Sequence, residues 1–295
     1  MEIKTDAIVL RAADYKDADK ILTLLTPSAG KLTAGIKGVK KSGAKLAFSA
    51  QPFAFCEYVL AQKGGRYTVT SAYLHDGFFP LRTNITRYYA ACAAMEIADE
   101  LSAEGAENES LFVAAAQALR SLAYAEETES PAEIVSAFLL TALFEAGYMI
   151  DLDGCGACGR EIEENSVCYF DFSGGRFLCG SCGAAAGGAN ENLVRASAKT
   201  YDFLRKISGI SCENALKTAD FPPNFEEKPL KIEEKTGKIE EKSPKIEEKQ
   251  SENDAELRAL RLLKTYLSNK TERDYKCFTE FYRLYRDDFK KSFRE

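Results

Sequence analysis

Polar and apolar positions change period once along this chain. Up to about residue 80 the apolar residues come in short runs, at Thr5–Leu10, Lys20–Thr26, Lys31–Lys37, Phe53–Leu60 and Tyr67–Tyr73. Runs of this length and alternation predict strands. Pro27-Ser28-Ala29-Gly30 and Gly64-Gly65 supply turn residues between them. Five short strands in about 80 residues fit a small Greek-key barrel of the OB type. A five-stranded SH3-like barrel fits the same pattern, and the sequence does not separate the two.

From Ile85 the period lengthens to that of a helix. Ile85, Tyr88, Tyr89, Cys92, Met95 and Leu101 fall near i, i+3, i+4 and i+7, and so do Leu111, Phe112, Ala115, Leu119 and Leu122. Ser130-Pro131-Ala132-Glu133 predicts a helix start, with Ser130 as cap, Pro131 in the first turn and Glu133 completing a capping box. That helix should bury Ile134, Phe138, Leu139 and Leu143 and stop near Gly147. Further helices are expected over about 197–207, 255–267 and 275–293. The last carries the stripe Tyr275, Phe278, Phe281, Tyr282, Tyr285, Phe289 and Phe293, read as core, and a polar face of Arg283, Arg286, Lys290, Lys291 and Arg294. Between these helices Lys231-Ile232-Glu233-Glu234-Lys235 recurs at Lys238–Lys242 and Lys245–Lys249. One apolar residue in seven is too little for a coiled-coil seam, so residues 226–250 read as a solvated, disordered insertion.

Composition places the chain among globular proteins, with 45% apolar and 28% charged residues. No run approaches the ~18–20 apolar residues of a membrane-spanning helix. The opening Met1-Glu2-Ile3-Lys4-Thr5-Asp6 is not a secretory signal, so a cytoplasmic chain is expected. A single histidine, His75, excludes chemistry that needs several imidazoles, and it reads as a satisfied structural residue. Nine cysteines, an odd number, point in that compartment to metal binding and buried thiols.

Cys155-Gly156-Ala157-Cys158 and Cys179-Gly180-Ser181-Cys182 form two C-x-x-C knuckles. Residues 167–172 and 176–178, joined by Ser173-Gly174-Gly175, predict a β-hairpin between them. Knuckles bracketing a hairpin describe a zinc ribbon, placed at 151–185. Four thiolates close a tetrahedron and leave no open position, so one structural Zn²⁺ is expected. Cys168 reads as hairpin core, and Cys56, Cys92, Cys212 and Cys277 as small buried hydrophobes. The fold class expected is therefore α+β and multidomain: an OB-type barrel over 1–80, then a helical domain over 81–295 that contains the ribbon and the insertion.

The net charge of −6 is unevenly spread. Residues 1–80 hold eleven Lys and Arg against seven acids, whereas residues 81–150 hold three against eleven. Lys37, Lys40, Lys41 and Lys45 share one Gly- and Ser-containing loop with no acid in it. A mobile cationic loop at the mouth of a barrel suits phosphate contact. Arg11 and Lys20 extend the candidate face. Phe48, Phe53 and Phe55 are possible base-stacking residues but read better as core. No phosphate-binding Gly-rich motif, nucleophile elbow or convincing carboxylate pair is present, so an enzyme is not expected.

Thr5-Asp6-Ala7-Ile8-Val9-Leu10, then Asp14-Tyr15-Lys16-Asp17-Ala18-Asp19-Lys20-Ile21-Leu22, Thr26 and Gly30-Lys31 resemble the opening of the RecO family. The loop Lys37-Gly38-Val39-Lys40-Lys41, the step Gln51-Pro52-Phe53 and the four-cysteine ribbon within a helical segment extend the resemblance. It implies a non-enzymatic DNA-repair protein with an OB-fold domain, a helical domain and a zinc module. It implies binding of single- and double-stranded DNA and annealing of complementary strands. It further implies loading of RecA, with RecR and in some members RecF, onto DNA covered by single-strand-binding protein (SSB), whose acidic C-terminal tail is a partner. DNA contact is carried onto Lys37, Lys40 and Lys41, and the chain is expected at the nucleoid. The alternatives are a zinc-ribbon adaptor for protein or RNA that does not anneal DNA, and an enzyme using unrecognised carboxylates.

Overall fold

The computed structural model describes residues 2–124, 130–163, 166–187, 191–216 and 246–291. The N-terminal strands are β1 (Glu2–Tyr15), β2 (Asp19–Thr26), β3 (Gly30–Ile36), β4 (Phe55–Lys63) and β5 (Arg66–Asp76). They close into a barrel in the order β1-β2-β3-β5-β4. Strand β3 meets β5 in parallel, at Ala34↔Tyr67 and Gly35↔Thr68, whereas a meander would set β3 beside β4. This Greek-key order decides for the OB type. Strand β1 pairs with β4 through residues 2–8 and with β2 through 8–15, with a register shift between Val9 and Arg11 where it bends from one partner to the other.

Ala7, Val9, Leu22, Leu24, Leu32, Ala34, Cys56, Tyr58 and Leu60 fill the barrel. Only part of the opposite face of these strands is covered: Lys4, Arg11, Thr33, Thr70 and Tyr73 are exposed. Ile8, Leu25, Phe53 and Phe55 pack into the core of the helical domain, where the rings of Phe55 and Phe112 meet edge to face at 5.9 Å. Phe53 and Phe55 are therefore seam residues and not stacking platforms, and Phe48 packs against the barrel core.

The helical domain opens with α1 (Ile85–Leu101), α2 (Glu109–Tyr124) and α3 (Pro131–Glu145). In α1 the buried positions are Thr86, Ala90, Ala91, Ala93, Ala94, Met95, Ile97 and Ala98. This corrects the expected stripe: Ile85 is exposed, and Tyr88, Tyr89, Cys92 and Leu101 are only half-buried. A helix surrounded by other helices is buried by its small residues, which let neighbours approach. Such a helix is apolar nearly all round and loses its one-sided signal. In α2 and α3 the expected stripes are the buried faces, with Ile134 partly buried.

Helices α4 (Gly180–Ala186), α5 (Ala198–Leu216), α6 (Ile246–Thr271) and α7 (Lys276–Lys291) follow. Ser130 caps α3 as predicted, accepting from Glu133 N–H at 3.4 Å. Its own hydroxyl donates to the buried Glu256 carboxylate on α6 at 2.7 Å, and Tyr285 of α7 donates to the same oxygen. Glu96 of α1 caps α7, accepting from the amides of Lys276, Cys277 and Phe278 at 3.0, 2.9 and 3.2 Å. The Lys-Ile-Glu-Glu-Lys insertion lies outside the described residues up to 245. Helix α6 begins at Ile246, inside the last repeat, which corrects the expected disorder over 246–250: these helix-favouring Glu, Lys and Gln residues continue into the helix instead. Residue 293, the expected end of the last helix, and the side chain of Cys212 also lie outside the described residues.

Candidate metal centre and basic loop

The second sheet has three strands, β6 (Val167–Asp171), β7 (Arg176–Cys179) and β8 (Leu193–Ser197), in the order β7-β6-β8. The predicted hairpin is β6–β7. Strand β8 is a finding of the structure: its five residues pair with β6 from Val167↔Ser197 to Asp171↔Leu193. Its only local signal is Leu193-Val194, too short to stand out from the helix start behind it.

The hairpin brings the two knuckles together. The sulfurs of Cys155, Cys158, Cys179 and Cys182 lie within 4.8 Å of one another, and Cys158 Sγ is 3.8 Å from Cys179 Sγ. A tetrahedron with metal–sulfur arms of ~2.3 Å has sulfur–sulfur edges of ~3.8 Å, so the cluster has the size of one four-coordinate site. In the first knuckle Gly159 has φ +70° and donates to Cys155 O at 2.8 Å, closing a tight turn. The second knuckle runs straight into α4. Gly183 is helical there, and a Cβ on it would lie 2.1 Å from the Tyr169 ring, so this glycine serves packing and not a turn.

The thiols are unequal. The Ser181 hydroxyl, 3.2 Å from Cys179 Sγ, and the Cys182 amide hold the Cys179 thiol down to about 6. Burial pushes Cys155 up, but the amides of Cys179, Ala157 and Cys158 outweigh it and hold the thiol below its usual value. Cys182, beside the sulfurs of Cys158 and Cys179, is pushed up to about 12. Crowded sulfurs of this kind do not all ionise unless a cation shares their charge. Cys168 is fully buried in the hairpin core, outside the cluster, and burial pushes it up to about 12.

The basic loop leaves the end of β3. Lys37, Lys40, Lys41 and Lys45 are all exposed along it. Lys20, opposite Asp14 on β1 and Ile36 on β3, stands beside its start. The loop is pinned at its start. Asp19 Oδ1 accepts from Gly38 N–H at 2.7 Å, Ala18 O accepts from Lys40 N–H at 3.0 Å, and Lys40 Nζ pairs with Asp14 at 2.7 Å. Val39 is buried between these anchors. That hydrogen bond from Lys40 holds the Asp14 carboxyl below its ordinary value. Arg11 is not brought to this loop. It lies three residues back along β1 from Asp14, roughly 10 Å, and pairs with Asp99 of α1 at 3.5 Å. On α7, Arg283 pairs with Glu280 and Asp287, Arg286 with Asp287, and Lys291 with Asp288, so much of its basic face is met by its own acids. His75 is satisfied: Nε2 lies 2.8 Å from Asp6 Oδ1, and the ring packs on Phe55.

Barrel, helices and cluster together define a class: a modular OB-barrel protein whose helical domain carries a four-cysteine ribbon. Comparison with known proteins narrows this. The profile described as "Recombination protein O N terminal" matches residues 1–78, and "Recombination protein O C terminal" matches residues 82–232. The chain belongs to the RecO family. Proteins named "DNA repair protein RecO" are similar to it: that of Desulforamulus reducens is 34% identical over 204 residues, 69% of this chain and 76% of the relative. Those of Moorella thermoacetica and Anaeromyxobacter dehalogenans are 30% and 32% identical over 206 and 209 residues, about 70% of this chain and 75% and 80% of the relatives. No helix among the described residues is long and apolar enough to cross a membrane.

Proposed function

We propose that this chain is a DNA-binding recombination mediator in DNA repair. It binds single- and double-stranded DNA, anneals complementary strands and, with RecR, assists RecA loading onto SSB-coated DNA. The observation that carries this reading is the pinned lysine loop on an OB-type barrel in a chain of the RecO family. Annealing requires two polyanions to be held close without a grip on particular bases. Exposed ammonium groups on a fixed backbone do this, because their contact energy is sequence-independent. Lys37, Lys40, Lys41 and Lys45, with Lys20 beside them, make the principal contacts, and Arg11 stands at the margin. No turnover is part of the role.

The four cysteines hold one Zn²⁺, which fills its coordination shell with thiolates and serves structure. SSB, through its C-terminal tail, and in some settings RecF complete the partners, and DNA affinity keeps the protein at the nucleoid. The test is annealing of labelled complementary strands, with and without SSB, across a salt series. Rapid annealing that falls steeply with salt is expected. Reversing Lys40 and Lys41 to Glu lowers the salt slope for single strands by about 1.4, two contacts' worth. A zinc-loaded, folded sample that neither binds nor anneals DNA at low salt would overturn the reading in favour of a zinc-ribbon adaptor.

A further inference from the structure

We infer that Asp19 is the positioning residue of the phosphate-contacting lysine loop. It fixes the loop backbone at Gly38 so that the lysines are presented on a preformed frame. This deepens the DNA-binding reading and rests on it.

The loop follows β3 with no sheet partner of its own to hold it. Gly38 sits at φ +65°, in the left-handed region, so the chain turns sharply just as it leaves the strand. The Asp19 carboxylate takes the Gly38 N–H at 2.7 Å, at the residue where the β1–β2 turn re-enters the sheet. One residue earlier, Ala18 O takes the Lys40 N–H at 3.0 Å. Lys41 N–H donates to Gly38 O, and Ala44 N–H to Lys41 O, both at 3.1 Å, so the frame propagates from Gly38 along the loop. Val39, between the anchors, is buried in the barrel core, so the loop is also held from inside the barrel. A preformed frame spares the entropy of ordering the lysines when phosphate arrives.

The sign of one substitution separates positioning from simple electrostatics. Removing an acid from a basic face should by charge alone strengthen polyanion binding. Positioning predicts the opposite for Asp19→Ala, which removes both charge and acceptor. Asp19→Asn removes the charge and keeps an acceptor oxygen, so it retains or improves binding.

The experiment uses the full zinc-loaded chain and a labelled oligothymidylate, with affinity measured over a salt series for wild type, Asp19→Ala, Asp19→Asn and Lys40→Glu/Lys41→Glu. The expected result is that Asp19→Ala weakens binding about five- to tenfold and reduces the salt slope by at least about 0.7, one contact, while Asp19→Asn does neither. If the double lysine variant lowers affinity and slope but Asp19→Ala binds as wild type or tighter, the inference is overturned and the DNA reading stands. If the lysine variant changes nothing, the DNA reading itself falls. Should Asp19→Ala not fold, amide exchange in the wild type decides. Protection of the Gly38 amide in the free protein is expected, and exchange at the rate of an open chain would overturn the inference.

Discussion

Gly30 and Gly64 offer a matched pair for measuring what the seam between barrel and helices contributes. Their φ angles are +56° and +57°, so an alanine at either meets the same left-handed penalty of ~1–2 kcal/mol, and the difference between them cancels it. Their surroundings differ. A Cβ at Gly64 meets nothing within 4 Å, whereas one at Gly30 would lie 2.2 Å from Ala106 O and 2.5 Å from Ala103 O. These are backbone atoms, so the segment 102–108 must withdraw. It is held by Lys31 N–H to Ala103 O at 3.0 Å, Gly105 N–H to Ala29 O at 3.0 Å and Asn108 N–H to Pro27 O at 3.2 Å. Losing two of the three at ~1 kcal/mol each adds about 2 kcal/mol. Gly30→Ala should therefore cost about 2 kcal/mol more than Gly64→Ala, a further fall in melting temperature of roughly 4–8 °C for a chain of this size. Urea and thermal unfolding followed by circular dichroism measure both variants. Equal costs within about 0.5 kcal/mol would refute the claim that close backbone approach at Gly30 locks the domains together.

Three further outcomes are expected. Glu96→Ala leaves three amides of α7 without their acceptor and should cost about 1–2 kcal/mol, read as a fall in melting temperature; Glu96→Gln, which keeps one acceptor oxygen, should cost less. In chelator-stripped protein Cys179 should react with iodoacetamide ahead of Cys182, because a thiol held down to about 6 is thiolate at pH 7 and one pushed up to about 12 is not. The Cys179 rate should fall as pH drops through about 6, and metal should protect both, with peptide mass mapping as the readout. Asp14→Asn removes the partner that Lys40 holds at 2.7 Å and must leave to reach phosphate, so affinity for single-stranded DNA should rise with little change in the salt slope; an unchanged or lower affinity would show that Lys40 makes no phosphate contact.

What the sequence made legible follows from how local each signal is. The ribbon cysteines were readable because coordination chemistry constrains identity and spacing within a few residues. The barrel strands were readable because Leu22, Leu24, Leu32, Ala34 and Ile36 share one parity and fill one core. The OB order was not, because it rests on the parallel contact of Ala34 with Tyr67, which no local pattern encodes. The buried face of α1 was missed because alanines carry it, and alanine is almost neutral in an apolar periodicity. Strand β8 was missed because five residues carry little period and its partner lies more than twenty residues upstream.

Charge shows the same division more sharply. Counting residues makes the first domain basic and the segment after it acidic, as if the two simply repelled or admitted a polyanion. The structure spends part of that charge on itself. Asp99 of α1 receives Lys31 at 3.2 Å and Arg11 at 3.5 Å, so these charges dock the barrel on the helices. Asp14 receives Lys40, and α7 meets much of its basic face with its own acids. Arg11 and the α7 arginines thus enter a polyanion contact only by leaving a carboxylate, and Lys40 only by leaving Asp14. Lys37, Lys41 and Lys45 pay no such exchange in any ion pair the structure shows, and they sit on the backbone that Asp19 and Ala18 hold in place. A cationic surface is therefore defined less by how many lysines a domain contains than by which of them its own acids leave to solvent, and by whether the backbone beneath is already set.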